Sequence, residues 1–122
     1  MESDSFPLIT IGVPIKEEAH SMRHMLKSLE DLDYPKERIK IVFVEGYSVD
    51  RTYDILAEWV ARVRSKYYDV VLMRAKSNIP QARNICIKNM EGDYIFFWNT
   101  DTLAPNDAFK VALKILSQSG AL

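Results

Sequence analysis

The chain has 122 residues, 48% of them hydrophobic and 27% charged, and 16 basic against 17 acidic side chains leave a net charge of −1. This is the make-up of one ordinary globular domain, large enough to bury about two-thirds of its unfolded surface. It excludes the basic excess of a nucleic-acid binder and the like-charge block of an interaction tail, so no nucleic-acid partner is expected. The single cysteine, Cys86, rules out an intrachain disulfide and fits a reduced, cytoplasmic compartment. Residues 1–6 are expected to be disordered. The acidic Met1-Glu2-Ser3-Asp4-Ser5 start is no signal peptide, and the longest apolar runs have the length of strands.

Taken in chain order, Leu8 to Val13 is a short apolar run that reads as a strand ending at Pro14. Ala19, Met22, Met25, Leu26, Leu29 and Leu32 recur at helical spacing, and Asp33-Tyr34-Pro35 stops the helix. Ile39 to Val44 is a second, almost wholly apolar strand. Ser48 or Asp50 can cap the following helix, whose stripe is Ile55, Leu56, Trp59, Val60 and Val63. Val70 to Met73 is a third strand. Pro80 suits the first turn of a helix running to about Met90. Gly92-Asp93 turns the chain into the strand Tyr94-Ile95-Phe96-Phe97-Trp98, and Pro105 opens a last helix with Phe109, Ala112, Leu113 and Leu116 inward. Strands apolar on both faces, alternating with helices, predict a three-layer α/β/α fold with a mainly parallel sheet.

Open parallel sheets bind ligands outside the carboxyl ends of their strands. The residues directly after each strand are therefore the candidates. The fourth strand runs straight into Asn99-Thr100-Asp101. A carboxylate there must be compensated, by a cap or by a cation. A hard divalent ion takes oxygen ligands, so Asp101 is either a metal ligand or a turn residue. Glu45 follows the second strand without a break. It reads either as an acceptor for a nucleobase or ribose, or as a carboxylate paired with a cation such as Lys16 or Arg83. Arg83 can clamp a diphosphate through paired hydrogen bonds, or be solvated. His20 and His24 lack a third metal ligand and read as surface side chains; Cys86, Trp59 and Trp98 read as core.

Glycine-rich dinucleotide and P-loop signatures and the Gly-x-Ser-x-Gly elbow are absent from the sequence. A receiver-type signalling module competes as a fold, although Arg74-Ala75-Lys76 stands where it needs an acid. Strand order discriminates the two.

Five segments together resemble the family 2 glycosyltransferases of the GT-A fold, from about Pro7 to Leu116. Ile11-Gly12-Val13-Pro14-Ile15-Lys16-Glu17-Glu18 is similar to the family's opening strand and Pro-Thr-x-Asn-Glu segment. Ile39-Lys40-Ile41-Val42-Phe43-Val44-Glu45 resembles its second strand with an acidic base-binding residue. Ser48-Val49-Asp50-Arg51-Thr52 resembles Ser-x-Asp-x-Thr, and Asn78 with Ala82-Arg83-Asn84 its Ala-Arg-Asn stretch. Gly92-Asp93-Tyr94-Ile95-Phe96-Phe97 into Asn99-Thr100-Asp101 resembles its Gly-Asp-Tyr-Ile strand and Asp-x-Asp motif.

The resemblance implies a nucleotide-binding half of a GT-A (Rossmann-like) domain and a nucleotide-diphosphate sugar as donor. Pro14, Ile15, Glu18 and Glu45 would line the nucleoside pocket, with Arg83 and Thr100 near the nucleotide. Asp101, with Asn99 beside it, would hold a manganese or magnesium ion that neutralises the leaving diphosphate. The implied activity is an inverting, metal-assisted hexosyltransferase. Departures are Glu45 for Asp, Gly46 for a second Asp, and Asn99 for the first Asp of Asp-x-Asp. The resemblance places the general base beyond this chain's last helix, so no catalytic residue is assigned and the chain is expected to be a truncated domain. Two expectations follow: self-association or completion by a second chain, and, as an alternative to catalysis, a non-catalytic nucleotide-sugar-binding remnant. The acceptor is open and includes a membrane-bound one.

Overall fold

The computed structural model describes residues 6–98. The helix expected from Pro105, and Asn99, Thr100 and Asp101, lie outside the described residues. The apolar runs form strands β1 (Ile9–Ile15), β2 (Ile39–Glu45), β3 (Asp69–Arg74) and β4 (Tyr94–Phe97). The amphipathic stripes form helices α1 (Ala19–Glu30), α2 (Thr52–Val63) and α3 (Ile79–Lys88). α1 turns Met22, Met25, Leu26 and Leu29 inward, the three-and-four spacing that fixes one helical face. Pro35 then prevents the helix from resuming and leads into a short 3-10 turn at Lys36–Arg38.

All strand pairs are parallel and the order is β3-β2-β1-β4. A receiver module would place its second strand at the edge and its first beside its third. The observed order is that of a Rossmann-like half, so the receiver alternative is rejected. The chain steps outward from β1 to β3, then crosses back to the far side of β1. With right-handed crossovers, that reversal must move the connecting helix to the opposite face. The packing agrees. Ile9, Ile11, Val13, Ile41 and Phe43 share one core with α1 and α2, while Val42 and Val44 pack with Ala82 and Cys86 of α3.

β2 is buried at every residue, which explains its nearly continuous apolar sequence. β1 extends through Pro14 to Ile15, further than its sequence suggests. Proline cannot donate to a ladder, but β4 pairs only with Ile9 to Gly12, so no partner on that side needs the missing N–H. Gly12 has a specific reason to be glycine. A Cβ there would stand 2.9 Å from Cys86 Cβ and 3.1 Å from a Phe97 ring carbon, so its absence lets α3 approach the sheet. Phe6, assigned to the disordered terminus from sequence, packs edge-on against Tyr34 with ring centroids 5.2 Å apart.

The amino end of the sheet is closed by a polar lock. Lys40, only 7% exposed, donates to Glu91 Oε1 at 2.9 Å, and the Tyr68 hydroxyl donates to the other oxygen at 2.9 Å. Buried Thr10 exchanges hydrogen bonds with the Glu91 backbone. Chemistry is thereby left to the other end of the strands.

Candidate nucleotide cleft

The carboxyl ends of β1 and β2 open into a cleft of about 800 Å³. Its walls include Pro14, Ile15, Lys16 and Glu18 from β1 and its loop, Val44 and Gly46 from β2, and residues from Ser77 to Ala82 at the start of α3. α1 lies on one face of the sheet and α3 on the other, so the cleft sits where the connections diverge. That is the switch-point crevice in which open α/β sheets bind ligands. Of the residues singled out from sequence, Pro14, Ile15 and Glu18 are brought together here. Lys16, His20 and Ser21 line it as well. From sequence, His20 reads only as half of a histidine pair. The available signal was positional, since α1 begins at Ala19 and its first turn must stand at the ligand edge.

Glu45 is fully buried at the end of β2 and is not among the cleft-lining residues. Its Oε1 accepts from Tyr47 N–H at 3.1 Å and Arg74 Nε at 2.8 Å, and its Oε2 from Ser48 N–H at 2.8 Å. Burial pushes the carboxyl pKa up, but the bonds from Ser48 and the Arg74 guanidinium outweigh it and hold Glu45 below its ordinary value. The cation that pairs with it is therefore Arg74, which replaces both candidates named from sequence. Lys16 packs its carbon stem toward Gly46, and Arg83 places its guanidinium over the Phe97 ring at 5.2 Å. Arg74 itself lies over two rings, 4.7 Å from the Tyr47 centroid and 4.2 Å from that of Tyr53.

The loops after β1 and β2 are stitched together. Ser48 Oγ accepts from Glu17 N–H at 2.7 Å, Thr52 Oγ1 from Glu18 N–H at 2.9 Å, and Asp50 Oδ2 from Ala19 N–H at 3.3 Å. Asp50 Oδ1 also accepts from Thr52 N–H, the first of α2, at 3.0 Å, although the cap position itself is Arg51, whose side chain makes no cap bond. Ser48 does not cap α2, because its hydroxyl serves the other loop. At α3, Asn78 and Gln81 form a reciprocal capping box and Pro80 has no N–H to give. At each of these helix starts at least one N–H is spent on the protein, Ala19 and Thr52 on Asp50 and Gln81 on Asn78. Side chains add positive charge for an anionic ligand, with Lys16 in the wall and Arg83 exposed on α3.

Cys86 is fully buried and its thiol is pushed up to about 11, so it is a core residue and no nucleophile. Among the described residues no group of three or more His, Cys, Asp or Glu side chains gathers to hold a metal. The residues named for that role, Asp101 and Asn99, and the nucleotide residue Thr100 lie outside the described residues. A second hollow of about 370 Å³ runs between α1 and α2, lined by Arg23, Lys27, Glu58 and Arg62 among others. It lies on the helical face, away from the strand ends. The Glu30 carboxylate there accepts from Trp59 Nε1 at 2.6 Å and Arg62 at 2.9 Å, which ties the two helices together.

Among solved structures, the chain is similar to the Pyrobaculum calidifontis mannosyltransferase PcManGT in complex with GDP-Man and Mn2+, with a TM-score of 0.82 and 24% identity over 91% of this chain and 32% of that one. It is similar to S. aureus TarS in complex with UDP at a TM-score of 0.75, with 24% identity over 90% of this chain and 32% of that one. Likeness at this identity shows the fold, which is GT-A. Among curated proteins, an Anopheles gambiae glycosyltransferase 25 family member is 25% identical over 85% of this chain and 21% of its own length. Human procollagen galactosyltransferase 2 is 38% identical over 52% of this chain and 10% of its own. The chain thus spans between 10% and 21% of the length of these two curated relatives. The glycosyl transferase family 2 model matches residues 10–122, all of the sheet described above but its first residue, and the protein belongs to that family.

Proposed function

We propose that the chain binds a nucleotide-diphosphate sugar in the cleft and contributes to transferring that sugar to an acceptor hydroxyl. The observation that carries this reading is the cleft itself, which opens at the switch point of a family 2 sheet and is walled by Pro14, Ile15 and Glu18. Two structural neighbours hold UDP and GDP-Man, by their descriptions, and one of them Mn2+. In this reading Pro14, Ile15 and Glu18 shape the nucleoside end. Glu45 serves that end by fixing the loop of Gly46 to Ser48. Arg83, Lys16 and Thr100 would serve the phosphates, and Asp101 with Asn99 would hold a magnesium or manganese ion. When bound, the ion supplies Lewis-acid neutralisation of the leaving diphosphate. In an inverting transfer the acceptor oxygen bonds to the anomeric carbon as the bond to the diphosphate breaks. The acceptor proton passes to a general base.

A non-catalytic binding role is the second reading. One relative, 28% identical over 83% of this chain, is described as inactive glycosyltransferase 25 family member 3 of human. Calorimetry with UDP and GDP, with and without manganese, tests the proposal on wild type and Asp101→Ala. Saturable binding that manganese strengthens in wild type and not in Asp101→Ala is the expected result. Binding of neither nucleotide in any condition sinks the nucleotide reading. Binding that ignores both manganese and Asp101→Ala removes the metal role alone. Given a bound donor, sugar release separates the catalytic from the binding reading.

A further inference from the structure

We infer that Ser48 is a positioning residue for the nucleotide cleft, holding the wall from Lys16 to Glu18 in shape through the backbone of Glu17. The inference rests on the nucleotide reading above. Glu17 has φ 52°, in the left-handed region that non-glycine residues rarely occupy. It stands between two cleft-lining residues, Lys16 and Glu18. A left-handed Glu17 must be held from outside, because its own side chain gains nothing from the conformation. The holder is the Ser48 hydroxyl, which accepts the Glu17 N–H at 2.7 Å.

Ser48 is itself held. Its N–H donates to buried Glu45 at 2.8 Å. The neighbouring Tyr47 is also left-handed, with φ 58°, and its N–H donates to Glu45 at 3.1 Å. A chain of contacts therefore runs from Arg74 through Glu45 to Ser48 and on to Glu17. Its far end is the sheet, and its near end is the cleft wall.

The other two stitches differ in kind. Thr52 and Asp50 also bond each other at the start of α2, so their loss disturbs a helix start as well as the loop. The Glu17 bond is exposed, and water can replace it in part. Ser48→Ala therefore separates shape from stability better than any change at Asp50 or Thr52. Released from its partner, Glu17 can leave the left-handed region, and the competent wall becomes a minority conformation. Strain of this kind corresponds to roughly a tenfold change in population, which appears directly as weaker apparent binding.

The test is calorimetry with UDP and GDP in the presence of manganese, on wild type, Ser48→Ala and Ser48→Thr, at a temperature where all three are fully folded. The expected result is an approximately tenfold weaker affinity for Ser48→Ala and recovery in Ser48→Thr, which keeps the hydroxyl. Amide hydrogen exchange at Glu17 should quicken in Ser48→Ala and not in Ser48→Thr. A purely structural role would lower the melting temperature of Ser48→Ala and leave the affinity of its folded fraction unchanged, and that outcome overturns the inference while the nucleotide reading stands. A wild-type chain that binds neither nucleotide overturns both.

Discussion

Replacing Arg74 by methionine is expected to cost about 3 kcal/mol of stability at neutral pH, near the lower end for removing one partner of a buried ion pair. The asymmetry within the pair sets this value. Arg74 keeps 33% of its side chain exposed, whereas the Glu45 side chain has none. Taking away the carboxylate leaves a cation that can turn to water. Taking away the cation leaves a buried carboxylate with only the donors of its own loop. Methionine fills much of the same space beside Tyr47 and Tyr53, so the loss reports charge more than packing.

The pair also predicts that the stability difference between the two proteins depends on pH. In the wild type, Glu45 titrates below its ordinary value of 4.5. Its contribution is complete above that value and is lost as the pH falls through the lowered folded-state pKa. In Arg74→Met the guanidinium no longer lowers the pKa while burial still raises it, so the folded-state pKa lies above that of the wild type. The penalty is then full at neutral pH and shrinks as acid protonates Glu45. Urea unfolding of both proteins at neutral and mildly acidic pH should show the gap between them narrowing on acidification. A gap that stays constant would mean that Glu45 is not the buried charge this structure describes.

Gly92→Ala is expected to be comparably damaging, at about 3 kcal/mol, from left-handed strain together with overpacking. Gly92 has φ +84°, and a Cβ there would lie 2.0 Å from the Leu8 carbonyl oxygen and 2.7 Å from its carbon. Both obstacles are backbone of the residue just before β1, so no rotamer change relieves them. Gly46→Ala is the internal control. Its Cβ would meet only the Lys16 stem, at 3.2 Å, and that side chain can move. Its cost should stay below about 1 kcal/mol. Equal losses for the two variants in urea unfolding would contradict the geometry at Gly92.

These residues show which parts of the molecule were legible in sequence. The helical stripes of α1 and α2 are local and periodic, so Met22, Met25, Leu56 and Trp59 announced their core positions. The four strand runs were equally plain. Pro14 masked the end of β1, because proline normally argues against a strand interior; only the short reach of β4 along β1 makes it acceptable. Glu45 was visible as an acid ending an apolar run. Its partner was not, since Arg74 lies 29 residues away and meets it only through the pairing of β2 with β3. Ser48 reads from sequence as one of two possible caps, with Asp50, because capping is a local rule, while its hydroxyl's partner lies 31 residues back at Glu17. His20 was judged by its spacing from His24 rather than by its place at the ligand edge. Local chemistry is written in neighbouring residues, and the cleft is made of residues that only the sheet order brings together.

The measurement that tests the account most directly is a titration of the isotope-labelled chain with UDP and with GDP in the presence of magnesium, followed by the backbone amide resonances. The account predicts saturable shifts at Ile15, Lys16, Glu18, Gly46, Ser77 and Ala82, which line the cleft. Amides of Arg23, Lys27, Glu58 and Arg62, in the hollow between α1 and α2, should stay in place. Saturable shifts confined to that hollow, or no saturable shift with either nucleotide, would contradict it.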